Sequence, residues 1–464
     1  AATAGGSFSL LAAGASSSAL FVGVDTSTAG AKSGTATLTL ASDGTGTSGF
    51  AALGIAGQQI GVSGDVYRLA VPVVNTAPIT LVARVGDIAP SSTINVANSG
   101  ADAYTERLNA SIASTPAGWA ASGSVNGLAT GQNSNALTLA LNTTVAGSFA
   151  GSAGVALVSS GAGTTLAPDA DLGTANVALT GRVYAPAVAQ LPISTINFGT
   201  VRVGDVVPVR NVAVNNAAAG ALADTLGASI GTLPGNGFAA SGTVSGLIAG
   251  SSDTSTLNVA LDTANAGVFS GAATVGFTSR NPELADLALG SQDVLLQGQV
   301  NRLAEAGLAQ SGGSGSLAGG GTHFTLSFGT LAQGAGSLLA FLDLSNTALA
   351  PADNLGGGFD LSGISVGSPF TLGGFGSVDI AAGSTLSGLT VSFASGAAGV
   401  FDEVIVLRGL STNGSGPDLQ LADVQLHLTG TVVAVPEPGT YLLMAGGLLM
   451  LARVSRRRAL KRAA

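Results

Sequence analysis

An alternation of apolar and polar residues, repeated in the same order about every 117 to 132 residues, constrains this chain more than any other feature. Ile94 and Val96, Val212 and Val214, and Leu342 and Leu344 alternate with polar or small neighbours, and each pair runs into an asparagine: Asn98, Asn216 and Asn346. A second set follows, with Leu137, Leu139 and Leu141, then Leu257, Val259 and Leu261, and then Leu389, Val391 and Phe393. A period of two is that of a half-buried strand. Glycine, serine, asparagine and aspartate cluster between these segments and supply turns, and no helical window competes with them before the last thirty residues. Several short strands per unit of about 115 residues predict an all-β chain of tandem immunoglobulin-like β-sandwich domains. Asn98, Asn216 and Asn346 then read as turn formers at a strand end.

The copies set the domain boundaries. Gly118-Trp-Ala-Ala-Ser-Gly-Ser-Val matches Gly237-Phe-Ala-Ala-Ser-Gly-Thr-Val, and Asn142-Thr-Thr-Val-Ala-Gly-Ser-Phe-Ala-Gly matches Asp262-Thr-Ala-Asn-Ala-Gly-Val-Phe-Ser-Gly. Asp25-Thr-Ser-Thr-Ala-Gly-Ala-Lys-Ser-Gly matches the later half of the unit alone. Copies open at Val85-Gly86-Asp87, Val203-Gly204-Asp205 and, more loosely, Gln333-Gly334-Ala335, and they close at Gly64, Gly181, Gly298 and Gly430. Residues 1–70 therefore read as a partial domain, 71–186 and 187–303 as complete domains, and 323–432 as a divergent last copy. Residues 304–322 are rich in glycine and serine and read as a flexible linker. The first copy's counterpart of Gly86 would precede residue 1, and Ala1 to Leu11 lacks the basic start and apolar run of a signal peptide, so a secretion signal is expected upstream.

Residues 433–464 are of a different kind. Pro436, Glu437 and Pro438 hold an extended segment, because proline pushes the residue before it out of the helical region. An apolar helix is expected from Tyr441 to Val454, followed by a basic stop of Arg453, Arg456, Arg457 and Arg458, with Lys461 and Arg462 beyond. Such a helix would be roughly 21 Å long against a hydrocarbon core of about 30 Å, so it reads as a membrane helix of weak retention. By the positive-inside rule the basic end is cytoplasmic and residues 1 to about 435 lie outside the inner membrane. Six of the 16 lysines and arginines lie in this tail, so the body is more acidic than the net charge of −9 suggests, and nucleic acid is excluded as a partner. With no cysteine there is no disulfide, thiolate or zinc-thiolate chemistry.

The order Val435-Pro436-Glu437-Pro438, apolar helix and arginine cluster resembles the PEP-CTERM sorting signal. That resemblance implies recognition of Pro436, Glu437 and Pro438 by exosortase, a membrane-embedded cysteine transpeptidase or protease of Gram-negative bacteria that produce exopolysaccharide. Ile196-Asn197-Phe198-Gly199-Thr200-Val201-Arg202-Val203-Gly204-Asp205, followed by Val212 to Asn216, resembles the opening of the choice-of-anchor D family, whose domains are similar to ASH-type immunoglobulin-like modules. The last copy keeps Phe328-Gly329, whereas the middle of the chain departs from that pattern with Thr80-Leu81. This second resemblance covers about residues 71 to 432 and implies no chemistry.

Residues that could carry chemistry have structural readings. Of the two histidines, His323 and His427, the second lies on the polar side of an alternating strand and reads as a surface residue. Gly227-Ala-Ser229-Ile-Gly231 and Gly363-Ile-Ser365-Val-Gly367 have the spacing of a nucleophile elbow, but that device needs a strand-to-helix turn and a histidine partner. Ser229, Ser365 and Ser111 read instead as matching strand residues. Gly44-Thr-Gly46-Thr-Ser-Gly49 opens no helix and reads as a turn rather than a dinucleotide loop. Asp402-Glu403 follows Phe401, which aligns with Phe149 and Phe269, and reads as an exposed hairpin, with no calcium-loop spacing around it. Trp119 aligns with Phe238 and Phe375 and reads as a core aromatic.

No catalytic, cofactor-binding or metal-binding residue is therefore expected, and the chain reads as a non-enzymatic exported protein. Its expected place is the cell surface or exopolysaccharide matrix of a Gram-negative bacterium, reached through an inner-membrane intermediate handled by exosortase. The role read for it is structural or adhesive, with exopolysaccharide or further copies of itself as partners through edge strands. A carbohydrate-binding module is the alternative, and it requires an exposed row of aromatics on one sheet face.

Overall fold

The computed structural model describes residues 2–232, 237–435 and 438–460. The chain is all-β apart from one C-terminal helix, and the alternating segments become strands whose apolar positions are sealed. Leu137, Leu139, Leu141, Val212, Val214, Leu342, Val391 and Phe393 are each at most 1 % exposed. Three separate hydrophobic cores result, running from Ala70 to Val183, from Ala187 to Val300 and from Ala304 to Val432.

Each core fills a two-sheet sandwich of one plan. In the first domain, the four-stranded sheet runs Pro72–Val74, Ser91–Asn98, Asn133–Leu141, Trp119–Ser122. The facing sheet runs Ser124–Leu128, Arg107–Ser114, Gly147–Ser160, Ala170–Tyr184, Ile79–Arg84. The second domain repeats this order, and the third extends its second sheet to seven strands. Pairing is antiparallel except at one edge. There Ile79–Arg84 lies parallel to Ala170–Tyr184, Thr195–Arg202 to Leu284–Asn301, and His323–Ala332 to Val424–Val433. The tandem domains are immunoglobulin-like sandwiches.

The glycine that closes each copy has a packing reason. Gly181 faces Phe149 across the hairpin, Gly298 faces Phe269 and Gly430 faces Phe401. A Cβ on Gly430 would stand 2.5 Å from the ring of Phe393, which is fully buried and stacked on Phe328 and Phe370. The N-terminal hairpin Gly30–Ser42/Leu53–Val66 keeps the same register with Lys32 opposite Gly64, but Leu53–Val66 has no other strand beside it among the described residues. Leu53, Ile55 and Ile60 are exposed on it.

Several sequence expectations are corrected here. The glycine-serine stretch expected as a linker folds as Ala306–Gly313 and Ser316–Gly320, paired with Ser337–Asn346 and His323–Ala332. The alternation survives inside it, with Gln310 anchoring its turn through Leu317 N at 3.0 Å. Ser365 lies in a loop and not a strand, while Ser111 and Ser229 are exposed strand residues as expected. Glu403 is 8 % exposed rather than on an exposed hairpin, and it accepts hydrogen bonds from the Ser368 hydroxyl and the Ser365 backbone. Its neighbour Asp402 faces outward, 3.3 Å from His427 Nδ1. Phe370, opposite Phe393, takes the place that Trp119 and Phe238 hold opposite Leu141 and Leu261, while Phe375 packs edge-on against Phe359.

The tail helix runs Pro438–Leu460 and includes the expected Tyr441 to Val454. Arg453, Arg456, Arg457 and Arg458 ride on the same helix and stop the apolar run after Ala452. No helix among the described residues is long and apolar enough to cross a membrane, which corrects the membrane-helix expectation. Pro436 and Glu437, with Lys461 and Arg462, lie outside the described residues.

A direct test of the close sheet approach is Gly430→Ala. The added methyl must displace a ring held on three sides, and the third domain is expected to lose about 1–3 kcal/mol of unfolding free energy, read by urea denaturation of the full chain.

Candidate functional site at the repeat junctions

The polar residues that the fold buries gather at one end of each sandwich. The asparagine after the first alternating strand is the first of them. Asn98, Asn216 and Asn346 end their strands and turn the chain as expected, each Oδ1 accepting from the backbone two residues on, and they are 1 %, 0 % and 0 % exposed. Each donates from Nδ2 to two backbone carbonyls, Glu106 and Leu128, Asp224 and Leu247, or Asp353 and Ile380, at 2.9–3.1 Å. Each Oδ1 accepts from the incoming chain, at Val71 N, Val188 N or Glu305 N, at 3.1 Å. One side chain thus ties the domain's entry to two strands.

A serine and a carboxylate complete the set. Ser159, Ser279 and Ser411 are fully buried and accept from the backbone of Ala70, Ala187 and Ala304 at 2.8–3.0 Å. Their hydroxyls donate to Glu106 Oε2, Asp224 Oδ2 and Asp353 Oδ2 at 2.7–2.9 Å. Asp224 also accepts from Asn281 at 2.7 Å, and Asp353 from Asn301 at 2.9 Å.

Two of these carboxylates receive an arginine from the preceding domain. Arg84 Nε reaches Asp224 Oδ2 at 2.6 Å and Arg202 Nε reaches Asp353 Oδ2 at 2.6 Å. Both pairs are buried, with side-chain exposures of 7 % and 0 % in the first and 10 % and 0 % in the second. The next domain's long hairpin accepts from both remaining nitrogens of Arg202 but from Arg84 only at Nη1, and the buried Nη2 of Arg84 has no hydrogen-bond partner among the described residues. Arg84 Nη1 donates to Ala285 O, and Arg202 donates to Pro417 O and Ser411 O, at 2.8–2.9 Å. These further hydrogen bonds matter, because they replace the water both ions lose, and the first junction is the less fully compensated of the two.

The sequence Arg-Val-Gly-Asp places each arginine. Its strand ends in a turn in which Gly86 and Gly204 take φ of +87° and +82°, a conformation that favours glycine. Asp87 and Asp205 close the turn by accepting from the Arg84 and Arg202 backbone at 2.7 and 2.8 Å. Thr143 and Thr263 donate to the aspartate carbonyls at 2.7 and 2.9 Å. The turn is clamped at both ends, so the arginine can point only along the strand and into the next domain.

A second contact at the first junction is more exposed. Arg182 forms a two-pronged ion pair with Glu283, and the Tyr184 hydroxyl donates to the same carboxylate at 2.8 Å. Hydrogen bonding from Arg182, then from Tyr184, holds Glu283 below the ordinary glutamate value. At the second junction, burial alone would raise Asp353, but hydrogen bonds from Asn301, Arg202 and Ser411 and the Arg202 charge outweigh it and lower its pKa.

Some of the residues singled out in the sequence for chemistry meet: Ser365 N donates to Glu403 Oε1 at 3.3 Å, and Asp402, on the opposite face of the same strand as Glu403, stands 3.3 Å from His427 Nδ1. No hydrogen bond among the described residues joins Ser229 or Ser365 to a histidine, and Trp119 is 7 % exposed with Nε1 donating to Phe149 O at 3.1 Å. Phe238 and Phe375 are buried too. No group of three or more His, Asp or Glu that could hold a metal occurs among the described residues. The junction residues escaped sequence reading, although Arg84 and Arg202, aligned in Arg-Val-Gly-Asp, with Asp224 and Asp353 at matching later positions, were the available signal.

No protein-family model and no curated protein matches the chain. Among solved structures it is similar to extracellular cadherin domains 1–5 of protocadherin gamma B2, at 12 % identity and TM-score 0.37 over 87 % of this chain and 67 % of that one. It is also similar to a three-domain immunoglobulin fragment of titin, at 9 % identity and TM-score 0.28, covering 80 % and 100 %. An ASH / PapD-like domain of human CEP192 matches at 9 % identity and TM-score 0.21 over 29 % and 89 %.

Two outcomes test the junction. Arg202→Ala leaves Asp353 buried without its cation and is expected to cost about 3–5 kcal/mol, whereas joint replacement of Arg202 and Asp353 by Leu costs far less, read by denaturant unfolding of the full chain. Because Asp353 has a lowered folded pKa, its contribution is fully present above the unfolded aspartate value near 4 and is lost as pH falls through the folded value. Asp353→Asn should therefore flatten the acid loss of stability below about pH 4.

Proposed function

We propose that this chain is an exported, non-enzymatic structural or adhesive protein, built as a rod of stapled sandwiches and delivered by its tail to the cell surface or the exopolysaccharide matrix. The observation that carries the reading is the arrangement after Val433. A proline-flanked glutamate at Glu437 precedes a helix whose apolar stretch, Tyr441 to Ala452, is followed by Arg453, Arg456, Arg457 and Arg458. Pro436, Glu437 and Pro438 are the residues an exosortase would recognise in an inner-membrane intermediate of a Gram-negative bacterium. The apolar stretch is too short to span, and its side chains are exposed along the helix. It meets the membrane surface, with the arginines drawn to anionic headgroups, and is removed on processing.

The body supports the mechanical half of this reading. Load along the chain passes from one core to the next through a two-residue connection, as at Ala185–Pro186, and through the ion pair beside it. Such a joint resists bending in a way that a glycine linker does not.

The test is the intact mass of the secreted protein from an exosortase-bearing host, with Pro436, Glu437 and Pro438 native or all replaced by Ala. Loss of the arginine tail from the native form alone, with the variant retained by the cells, is the expected result. Tails of equal mass on both forms would overturn the sorting role.

A further inference from the structure

The first domain carries the receiving end of a junction whose arginine is supplied by no described residue. Glu106 aligns with Asp224 and Asp353 and is 6 % exposed. Its carboxylate accepts from Ser159 at 2.7 Å and Thr165 at 2.8 Å, but no ion pair reaches it among the described residues. The nearby Arg68 turns away to Asp102 at 3.1 Å. A buried carboxylate with only hydroxyl donors is poorly compensated for its lost hydration, and both downstream equivalents have a guanidinium.

The backbone around Glu106 is already that of a junction. Arg68 N donates to Tyr104 O, and Glu106 N donates to Arg68 O. The same two bonds join Ala185 to Leu222 and Asp224, and Arg302 to Pro351 and Asp353. At those junctions the arginine stands opposite the residue just before the bridge, Arg84 beside Tyr184 and Arg202 beside Asn301. Tyr67 is the counterpart in the first copy, at the end of the strand Leu53–Val66. That strand has a free edge where its equivalents hold a parallel strand. An open edge and a carboxylate without a cation, joined through Arg68 just past the end of that strand, fit one occupant.

We propose that Glu106 is the acceptor of a third arginine junction, filled by a strand that pairs in parallel with Leu53–Val66 and ends in arginine followed by a Val-Gly-Asp-type turn. The occupant is the first half of another repeat unit of this sequence type, joined in the same polypeptide ahead of the hairpin. Residues 187–262 stand in that relation to the hairpin Gly267–Asn281/Leu284–Asn301. Separate copies of this chain are poor donors, because Arg84 and Arg202 are already buried in their own junctions. The divergent last copy has Ala332 opposite Val433 in place of the arginine.

The test places a second copy of residues 187–262 in place of residues 1–25, so that its Asp262 precedes Thr26. Replacing the added copy's arginine (its Arg202) by Ala is expected to lower the folding equilibrium constant of the new junction about a hundredfold, and by no more than about threefold in an E106Q background. An equal loss in both backgrounds would overturn the proposal. Should the fusion fail to fold, a peptide of residues 192–206 added to the unaltered full chain is expected to slow amide hydrogen exchange along Leu53–Val66. Its R202A version should need at least several-fold more peptide for the same protection. No protection by the native peptide, or equal protection by both, would equally overturn it.

Discussion

An arginine and an aspartate taken out of water together set the terms for the whole array. Each ion loses hydration that its partner alone does not replace, so a pair such as Arg202 and Asp353 persists only inside a shell of further donors and acceptors. That shell is what the repeat supplies. A buried serine lies at the receiving end, the buried Asn301 comes from the strand beside the arginine, a hairpin turn offers carbonyls, and an aspartate-capped glycine turn aims the arginine. Remove one member and the others become buried polar groups without partners; the serine, carboxylate and arginine recur at both junctions, while the asparagine is drawn from a different strand at each.

The arrangement also explains why the domains are joined by so little chain. With Asn216 holding Val188 N and Ser279 holding Ala187 N, the entry strand is fixed within two residues of the exit of the preceding sandwich. Hydrogen bonds on both sides of the connection thus constrain the orientation between neighbours. A directional interaction fixes an angle; a greasy patch of the same size would not. For a tandem array, that difference separates a rod from a string.

Much of the architecture was legible because strand alternation is a local property. Leu137, Leu139 and Leu141 point one way for steric reasons that hold in any sandwich, and the recurring Gly181, Gly298 and Gly430 marked positions where a ring or branched side chain comes close, leaving no free room for a Cβ at Gly181 and Gly430 and a tight fit at Gly298. Readings that depended on long-range partners were incomplete or failed. Asn98, Asn216 and Asn346 do turn the chain at a strand end, but only the strands around them show that their amides are buried and hold the domain entry. Glu403 looked exposed beside Asp402 until the loop carrying Ser365 and Ser368 folded over it. The glycine-serine run from 306 to 320 looked flexible because composition was weighed above its residual alternation, and an open sheet edge recruited it. Phe375 was matched to Trp119 by spacing, whereas pairing puts Phe370 there, since an altered loop in the last copy shifts the count.

By itself, the sequence determined that the chain is built of repeated strands, how many copies it holds, which side chains fill the cores, and that its last thirty residues are an apolar helix ending in arginines. Those properties follow from periodicity and from composition over a few residues. The tertiary structure alone decided that Arg84 meets Asp224, 140 positions away, and that Arg202 meets Asp353. It also left Glu106 in the same socket without a cation. An ion pair between domains has no local period. It exists only when two separately folded sandwiches bring opposite charges to one place from which water is excluded.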